Sequence, residues 1–226
     1  MAKTYAIAID GPAGAGKSTI AKALAKELGF RYVDTGAIYR TVAYFLDLLG
    51  ISPKDIDGVE RYLDELTVDI AYDEEGKQHM LMNGMDVTED IRTLEIGQKA
   101  SIVSAHAIVR DMLLDMQRSV ARKHNVIMDG RDIGTVVLPK ATVKIFLTAS
   151  AQVRAQRRVE ELRAKGQQAD LQKVLAEIEQ RDYRDSHRAV APLKQAKDAV
   201  LVDTSELDID GVVARIRQII DRKVKA

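Results

Sequence analysis

The segment Gly11–Ser18 contains the residue types that bind phosphate. Its sequence, Gly-Pro-Ala-Gly-Ala-Gly-Lys-Ser, fits the pattern G-x-x-x-x-G-K-[ST]. Glycines let the backbone approach an anion closely, and the N-terminus of a following helix adds about half a positive charge. Lys17 would then reach the β- and γ-phosphates of a nucleoside triphosphate, and the Ser18 hydroxyl would ligate Mg²⁺. The residues expected at the phosphates are Gly11, Pro12, Ala13, Gly14, Ala15, Gly16, Lys17, Ser18 and Thr19.

A cluster of charged residues follows the apolar run Val126–Met128. It reads Asp129-Gly130-Arg131-Asp132, and the carboxyl end of a buried strand is where α/β proteins bind their ligands. Asp129 would orient the hydration shell of a magnesium ion, as the aspartate of a Walker B strand does. The alternative is a turn at the strand end that uses Asp and Gly for local hydrogen bonds.

A third set of residues is rich in arginine. Residues 154–188 contain seven arginines and two lysines. Arginine stays charged and makes planar, bidentate contacts with phosphate, and phosphoryl transfer depends on positioning and charge neutralisation. Two groups have the spacing of one helix face: Arg154, Arg157 and Arg158, then Arg181, Arg184, Asp185 and Arg188. They predict a lid that closes over two nucleotides. The alternative is a solvated face paired with Glu160, Glu161, Glu177 and Asp182.

The elements that must position these residues are indicated by short apolar runs. Runs of this kind are typical of strands buried on both faces of a parallel sheet. The five runs are Tyr5–Ile9, Phe30–Val33, Val126–Met128, Val143–Leu147 and Ala199–Val202. Helical patterns separate them, including a first helix from Lys17 to a stop at Gly29 and a last helix over Ile209–Lys223. This alternation predicts a doubly wound α/β core.

The interval between Gly36 and Asn125 is too long for a single crossover. Alternation at Val68, Ile70 and Tyr72 and the turn signal Asn83-Gly84 predict a small antiparallel β unit over residues 64–90. A helical stretch from about Leu94 to Arg122 would return the chain to the core.

Composition excludes several classes of protein. The formal net charge is zero, whereas sequence-independent binding of nucleic acid needs a basic excess. No apolar run approaches the roughly 20 residues that span a bilayer. The chain has no cysteine, which fits a reducing compartment. We expect a cytoplasmic protein, and the neutral charge favours a monomer. No Asn-Lys-x-Asp segment occurs, so a GTPase is not indicated.

Taken together, these segments resemble the bacterial cytidylate kinases, a family of nucleoside monophosphate (NMP) kinases. The matching segments occur in family order over nearly the whole chain. They are Ile9–Thr19, Asp34–Arg40, Ile91–Thr93, Asp129–Thr135, Val143–Leu147, Arg181–Asp185 and Arg188–Leu193. The Asp129–Asp132 and Arg188–Leu193 segments are far more specific than the phosphate loop.

The resemblance implies an α/β P-loop kinase core with a five-stranded parallel sheet. It also implies an inserted NMP-binding domain with a small antiparallel sheet, and a helical lid. The core would comprise residues 1–35 and 111–226, the insert residues 36–110 and the lid residues 152–180. The implied reaction converts ATP and CMP or dCMP to ADP and CDP or dCDP, with Mg²⁺.

The resemblance also implies a role for each matching residue. Arg157 would bind ATP, and the catalytic charges would be Lys17, Arg131, Arg158 and Arg188. Which of Arg157 and Arg158 approaches the adenine and which the transferring phosphate stays open. Those expected to bind CMP are Thr35 and Arg40 at the α-phosphate, Ser101, Arg110 and Asp132 at the cytosine edge, Arg131 and Arg188 at the acceptor phosphate, and Arg181 and Asp185 at the ribose. The chemistry is consistent, because cytosine offers an N4 donor to Asp132 or Ser101 and O2 and N3 acceptors to Arg110.

Two alternatives remain at this point. One keeps the chemistry and changes the acceptor, as in a UMP/CMP kinase or another small-molecule P-loop kinase. The other is a nucleotide-binding regulator without phosphoryl transfer.

Overall fold

The computed structural model describes residues 4–164 and 166–224. Its strands are β1 (Ala6–Asp10), β2 (Arg31–Asp34), β3 (Val68–Tyr72), β4 (Gln78–Met82), β5 (Met85–Asp86), β6 (Val126–Gly130), β7 (Val143–Thr148) and β8 (Val200–Asp203). Its α-helices are α1 (Lys17–Leu28), α2 (Thr35–Leu48), α3 (Ile56–Leu63), α4 (Leu94–Val103), α5 (Ala107–Lys123), α6 (Ala151–Ala164), α7 (Leu171–His187) and α8 (Ile209–Val224). A 3₁₀ turn covers Asp90–Arg92 and a π-helical turn covers Ile133–Val137.

The five apolar runs form one parallel sheet. Its strand order is β2-β6-β1-β7-β8, and each neighbouring pair is parallel. In this register Asp34 lies beside Asp129, and Asp10 lies beside Gly130. The polar ends of three adjacent strands therefore meet at one edge of the sheet.

Each face of the sheet is covered by its own apolar layer. On one face, Ile20 and Leu24 of α1 pack with Ile216 and Ile220 of α8 against the sheet. The other face packs against α2 and α5, and its apolar cluster continues into the region between residues 36 and 110. A separate small cluster joins α6 and α7 through Ala155, Val159, Val174 and Ile178.

The inserted β unit is present as a three-stranded antiparallel sheet in the order β3-β4-β5. Asn83 and Gly84 occupy the turn between β4 and β5, both with positive φ, which is the backbone that a tight hairpin turn requires. The predicted fold class, a P-loop α/β core with a small inserted sheet, is thus confirmed.

The helical stretch predicted from about Leu94 to Arg122 is present as two helices. The stretch from Leu94 to Arg122 is not continuous, because α4 ends at Val103 and α5 begins at Ala107. The Ser104 and Ala105 N–H groups close the last turn of α4 on the Ala100 and Ile102 carbonyls. The side chain of His106 then contacts the Pro53 carbonyl, with 2.7 Å between Nε2 and O.

The division into a core, an insert over residues 36–110 and a lid over residues 152–180 stays a prediction. Residues 1–3, 165 and 225–226, which belong to the predicted core and lid, lie outside the described residues. Within the described part of the chain, no helix combines the length and the apolar character needed to cross a membrane.

Candidate active site

A cavity of about 1070 Å³ opens at the carboxyl edge of the parallel sheet. Its wall is formed by the phosphate loop, the start of α2, one face of α4, the end of β6 and the arginine-bearing faces of α6 and α7. Ala13 to Thr19 line it directly, whereas Gly11 and Pro12 of the same loop do not.

The phosphate loop is built on glycines that no other residue replaces easily. A Cβ on Gly11 would lie 1.9 Å from the Leu147 carbonyl oxygen. Gly14 and Gly16 have φ values of 74° and 84°, in the left-handed region that favours glycine. Because α1 begins at Lys17 directly after this turn, the loop presents a helix N-terminus to the cavity.

Lys17 is buried at the base of the loop, where its Nζ donates to the Pro12 carbonyl at 2.7 Å. Burial and then the nearby Arg131 hold the pKa of the Lys17 ammonium well below its usual range. A bound polyphosphate would supply the negative charge that favours the protonated form.

Asp129 lies opposite the loop and has both carboxylate oxygens in hydrogen bonds. Ser18 Oγ donates to Oδ2 at 2.8 Å, and the Tyr32 hydroxyl donates to Oδ1 at 3.0 Å. Burial and then Asp34 raise the pKa of Asp129 to about 6, against the lowering effect of Lys17 and both hydroxyls. Because hydroxyl and carboxylate oxygens are the donors that a hard divalent cation prefers, Ser18 and Asp129 fit a metal bound with the triphosphate.

Asp10 has a structural role beneath the site. Its two oxygens accept from the N–H groups of Ile133 and Gly134, each at 2.7 Å. Burial raises the pKa of Asp10 to about 6. The two hydrogen bonds hold the turn after β6, which carries Arg131 and Asp132 into the cavity.

Elsewhere in the cavity wall, two arginines each have a buried Nε–H without a hydrogen-bond partner in the described part of the chain. Within the described residues, neither Arg40 Nε nor Arg181 Nε makes a hydrogen bond, although both side chains line the cavity. Arg40 is held at its other end by Asp34, at 2.9 Å. Burial and then Arg131 lower the pKa of Arg181 to about 10. Buried unpaired donors of this kind are costly unless an anion satisfies them.

Asp185 organises the neighbouring arginine. It accepts from Arg131 Nε at 3.0 Å and from Ser101 Oγ at 3.4 Å. Burial alone would raise the pKa of Asp185, but Arg131 and Arg181 outweigh it and lower the pKa. The carboxylate is therefore kept ionised and ready to accept hydroxyl donors.

A second buried carboxylate, Asp132, lies between two arginines. Arg110 Nη2 donates to one oxygen, and Arg188 Nη2 lies 3.3 Å from the other. Burial raises the pKa of Asp132, and the two arginines oppose that effect. The structure thus joins Arg110, Asp132 and Arg188 in one ion-pair cluster. Asp132, Arg188 and Ser101 line the cavity, whereas Arg110 does not.

Three of the four arginines of α6 (Arg154, Arg157 and Arg158) line the cavity as the spacing predicts, but they are held differently. Arg154 donates to the Ala149 carbonyl, the Ala13 carbonyl and the Asp182 carboxylate at 2.9, 3.0 and 2.6 Å. Arg157 donates to the hydroxyl and carbonyl of Thr204 at 3.0 and 2.6 Å. Arg158 contacts Glu161 at 2.7 Å and is about one-third exposed.

The arginine face predicted for α7 is only partly correct. Arg181 and Asp185 line the cavity, but Arg184 is exposed on another side of the helix. Arg188 follows the last helical residue and reaches Asp132 because its backbone is extended.

Sequence reasoning missed several residues that organise the site, including Asp10 beneath it and Asp34 beside Arg40. Tyr32 holds Asp129, Ser104 contacts Arg110 and Arg188 through its carbonyl and hydroxyl, and Thr204 binds Arg157. Tyr32 was read as an apolar strand residue. Its position two residues before Asp34 in a strand ending at the site was the available signal.

Comparisons with known proteins agree with this geometry. The family model described as cytidylate kinase matches residues 7–222. A cytidylate kinase of Leuconostoc mesenteroides is 50% identical over 221 residues, which cover 97% of this chain and 98% of that one. A cytidylate kinase of an Exiguobacterium species is 49% identical over 226 residues, and the match covers 100% of both chains.

One solved structure shows likeness of fold alone. A crystal structure of an uncharacterised protein from Eubacterium ventriosum has a TM-score of 0.50 and 15% identity, covering 96% of this chain and 99% of that one. The family match spans most of the sequence, and relatives near 50% identity extend over its full length. The chain therefore belongs to the cytidylate kinase family.

Proposed function

We propose that the chain transfers the γ-phosphate of ATP to CMP or dCMP, giving ADP and CDP or dCDP. The observation that carries the proposal is the pairing of two half-sites in one cavity. One is the phosphate loop, and the other is a pair of half-buried arginines with unpaired Nε donors beside an Arg110–Asp132–Arg188 cluster. Family membership supports the same activity.

In the donor half, the backbone N–H groups of Ala13–Thr19 and the Lys17 ammonium hold the triphosphate. The Ser18 hydroxyl, with Asp129 in contact with it at 2.8 Å, would hold Mg²⁺. When bound, this ion neutralises charge on the β- and γ-phosphates. Arg157 and Arg158 approach from α6 as part of a lid over residues 152–180, with Arg158 being the less firmly held of the two.

In the acceptor half, the unpaired N–H groups of Arg40 and Arg181 favour a phosphate and sugar ligand. We infer that Thr35 and Arg40 bind the α-phosphate, that Arg131 and Arg188 neutralise it, and that Arg181 and Asp185 contact the ribose. The attacking phosphate oxygen is already ionised, so no side chain has to act as a base.

The base is read by groups whose hydrogen-bonding capacity matches cytosine. Asp132 would accept from N4, and Arg110 would donate toward N3 or O2, with Ser101 nearby. The Arg110–Asp132 ion pair fixes both groups before the base arrives, so discrimination does not depend on ordering flexible side chains. The 36–110 segment supplies Ser101 and Arg110, in keeping with its assignment as the NMP-binding insert. We extend the proposal to a cytoplasmic monomer of pyrimidine nucleotide metabolism.

A coupled ADP-release assay tests the function. With ATP and Mg²⁺, CMP and dCMP should be turned over much faster than UMP, AMP, GMP or a hydroxyl acceptor such as shikimate. Turnover of AMP or GMP that equals that of CMP would overturn the assignment. Binding of ATP and CMP without turnover would instead indicate a regulator.

A further inference from the structure

The edge strand β2 receives hydrogen bonds from the inserted sheet. In the parallel sheet β2 pairs with β6 on one side only, and the other side of an edge strand presents unpaired N–H and C=O groups. The Tyr72 hydroxyl donates to the Tyr32 carbonyl at 3.0 Å. Gln78 Oε1 accepts from the Asp34 N–H at 2.7 Å, and its Nε2 donates to the Asp34 carbonyl at 3.4 Å.

These two side chains come from a single cross-strand pair. Tyr72 on β3 and Gln78 on β4 lie opposite each other in the antiparallel register. Tyr32 and Asp34 are two residues apart, so their carbonyls point to the same side of β2. One pair of the insert thus completes the free edge of the strand that leads into the acceptor side of the cavity.

Only the Gln78 contact continues to an acceptor-site arginine. The Asp34 side chain caps α2 by accepting from the Ala37 N–H at 2.9 Å, and its second oxygen accepts from Arg40 Nη2 at 2.9 Å. Asp34 and Arg40 both line the cavity. Tyr72, by contrast, holds Tyr32, whose hydroxyl contacts Asp129 on the donor side.

Burial makes the Gln78 contact consequential. Gln78 is 8% exposed, and its Nε2 also lies 3.0 Å from the Met80 sulfur. An apolar residue in its place would leave the N–H and C=O groups of Asp34 without their partner at a part-buried edge, and such groups move or admit water. A displacement of about 1 Å at a residue that positions a substrate can change rates up to a hundredfold.

We propose that Gln78 is a positioning residue for the acceptor nucleotide. Its side-chain amide fixes the backbone of Asp34, and Asp34 in turn holds Arg40 where the acceptor phosphate binds. The inserted sheet is then a structural support for the phosphate site as well as a cover over it. This inference rests on the proposed function, because it assigns Arg40 to the acceptor phosphate.

The test is a double-mutant cycle between Gln78→Met and Arg40→Ala. Methionine keeps the length of the side chain and removes both amide hydrogen bonds. Gln78→Met should raise KM for CMP about tenfold and leave KM for ATP within about twofold. In the Arg40→Ala background the same change should alter KM for CMP less than about twofold, because the two residues act in series.

Tyr72→Phe is the matched control. It removes one hydrogen bond from the same cross-strand pair to the same strand, so it reports any general loosening of the insert. KM for CMP should stay within about twofold of the parent. Where Gln78→Met does not fold, Gln78→Glu serves instead, since it retains an acceptor for the Asp34 N–H and loses the donor. Gln78→Glu should also raise KM for CMP, and this rise should disappear when Gln78→Glu is combined with Arg40→Ala.

The outcomes separate the two claims. A parent enzyme that does not phosphorylate CMP overturns the proposed function. If the parent is active, three results for Gln78→Met would overturn the role of Gln78. They are an unchanged KM for CMP, an equal rise in KM for CMP and KM for ATP, or a rise in KM for CMP that is as large in the Arg40→Ala background as in the parent. An effect of Tyr72→Phe equal to that of Gln78→Met overturns it as well.

Discussion

Buried arginines at the cavity differ in how many of their N–H groups have protein partners. Arg154 donates to two carbonyls and a carboxylate, whereas Arg40 and Arg181 each have a buried Nε without a hydrogen-bond partner within the described residues. Arg154 acts on neighbouring protein groups, whereas the Nε donors of Arg40 and Arg181 are available to a ligand. This difference, more than the count of arginines, separates a supporting residue from candidate ligand-binding residues.

At this scale we predict that Asp132→Asn relaxes base selection. Asparagine keeps the shape, but it can present an N–H to cytosine N4 and it removes the charge that holds Arg110 and Arg188. The ratio of kcat/KM for CMP to kcat/KM for UMP should fall about tenfold or more. The reason is that an asparagine N–H facing the N4 amino group of cytosine sets two donors against each other in a buried site. Steady-state kinetics with both acceptors measures the ratio.

The control for this prediction is Asp115→Asn on α5. Asp115 is an exposed acid paired with Arg122, so its replacement should leave the CMP/UMP ratio unchanged. A ratio that survives Asp132→Asn intact would remove Asp132 from base recognition.

At the scale of elements, the sequence pattern predicted the features that residues close together in the chain determine. The five strands follow from short apolar runs, and the small sheet follows from alternation and the Asn83-Gly84 turn. The phosphate loop is likewise a local motif. The contacts that complete the site join residues far apart in sequence: Tyr32 and Asp129 are separated by 97 residues, and Asp34 and Gln78 by 44. Periodicity carries no information about such pairs.

The inserted sheet also carries a titratable cluster. His79 lies between Asp86 and Asp73, with 2.7 Å from Nδ1 to the first and 3.3 Å from Nε2 to the second. Asp86 and then Asp73 raise the pKa of His79, and the pKa of Asp86 is lowered to about 2. A raised histidine pKa stabilises the fold below the ordinary value near 6.5, and the effect is lost as the pH rises through the raised value.

We therefore predict a pH-dependent effect of His79→Gln on thermal stability. The difference in Tm between the parent and the variant should be larger at pH 5.5 than at pH 9. Asp86 is charged at both pH values, whereas His79 has lost its proton at pH 9. Calorimetry at the two values measures the difference. His124→Gln is the control of opposite sign, since burial lowers the pKa of His124. Equal differences at both pH values for His79→Gln would contradict the ion-pair account.

At the scale of the whole molecule, the side chain of Arg154 connects the phosphate loop to helix α7. Arg154 lies on α6, donates to the Ala13 carbonyl of the phosphate loop and pairs with Asp182 on α7. The neighbours of Asp182 include Arg181 and Asp185, which line the cavity. Because α6 and α7 also share a small apolar cluster, the two helices form one support that contacts the phosphate loop and carries part of the cavity wall.

We predict that Arg154→Met weakens this support and thereby the binding of both substrates. Loss of the guanidinium leaves two carbonyls and a part-buried carboxylate unpaired, which should lower the free energy of unfolding by about 2 kcal/mol. KM for ATP and KM for CMP should both rise, unlike the acceptor-only effect expected for Gln78→Met. Arg163→Met, an exposed change on the same helix, should alter neither stability nor KM. Denaturant unfolding and two-substrate kinetics test the pair, and a rise confined to one substrate would show that Arg154 does not join the halves.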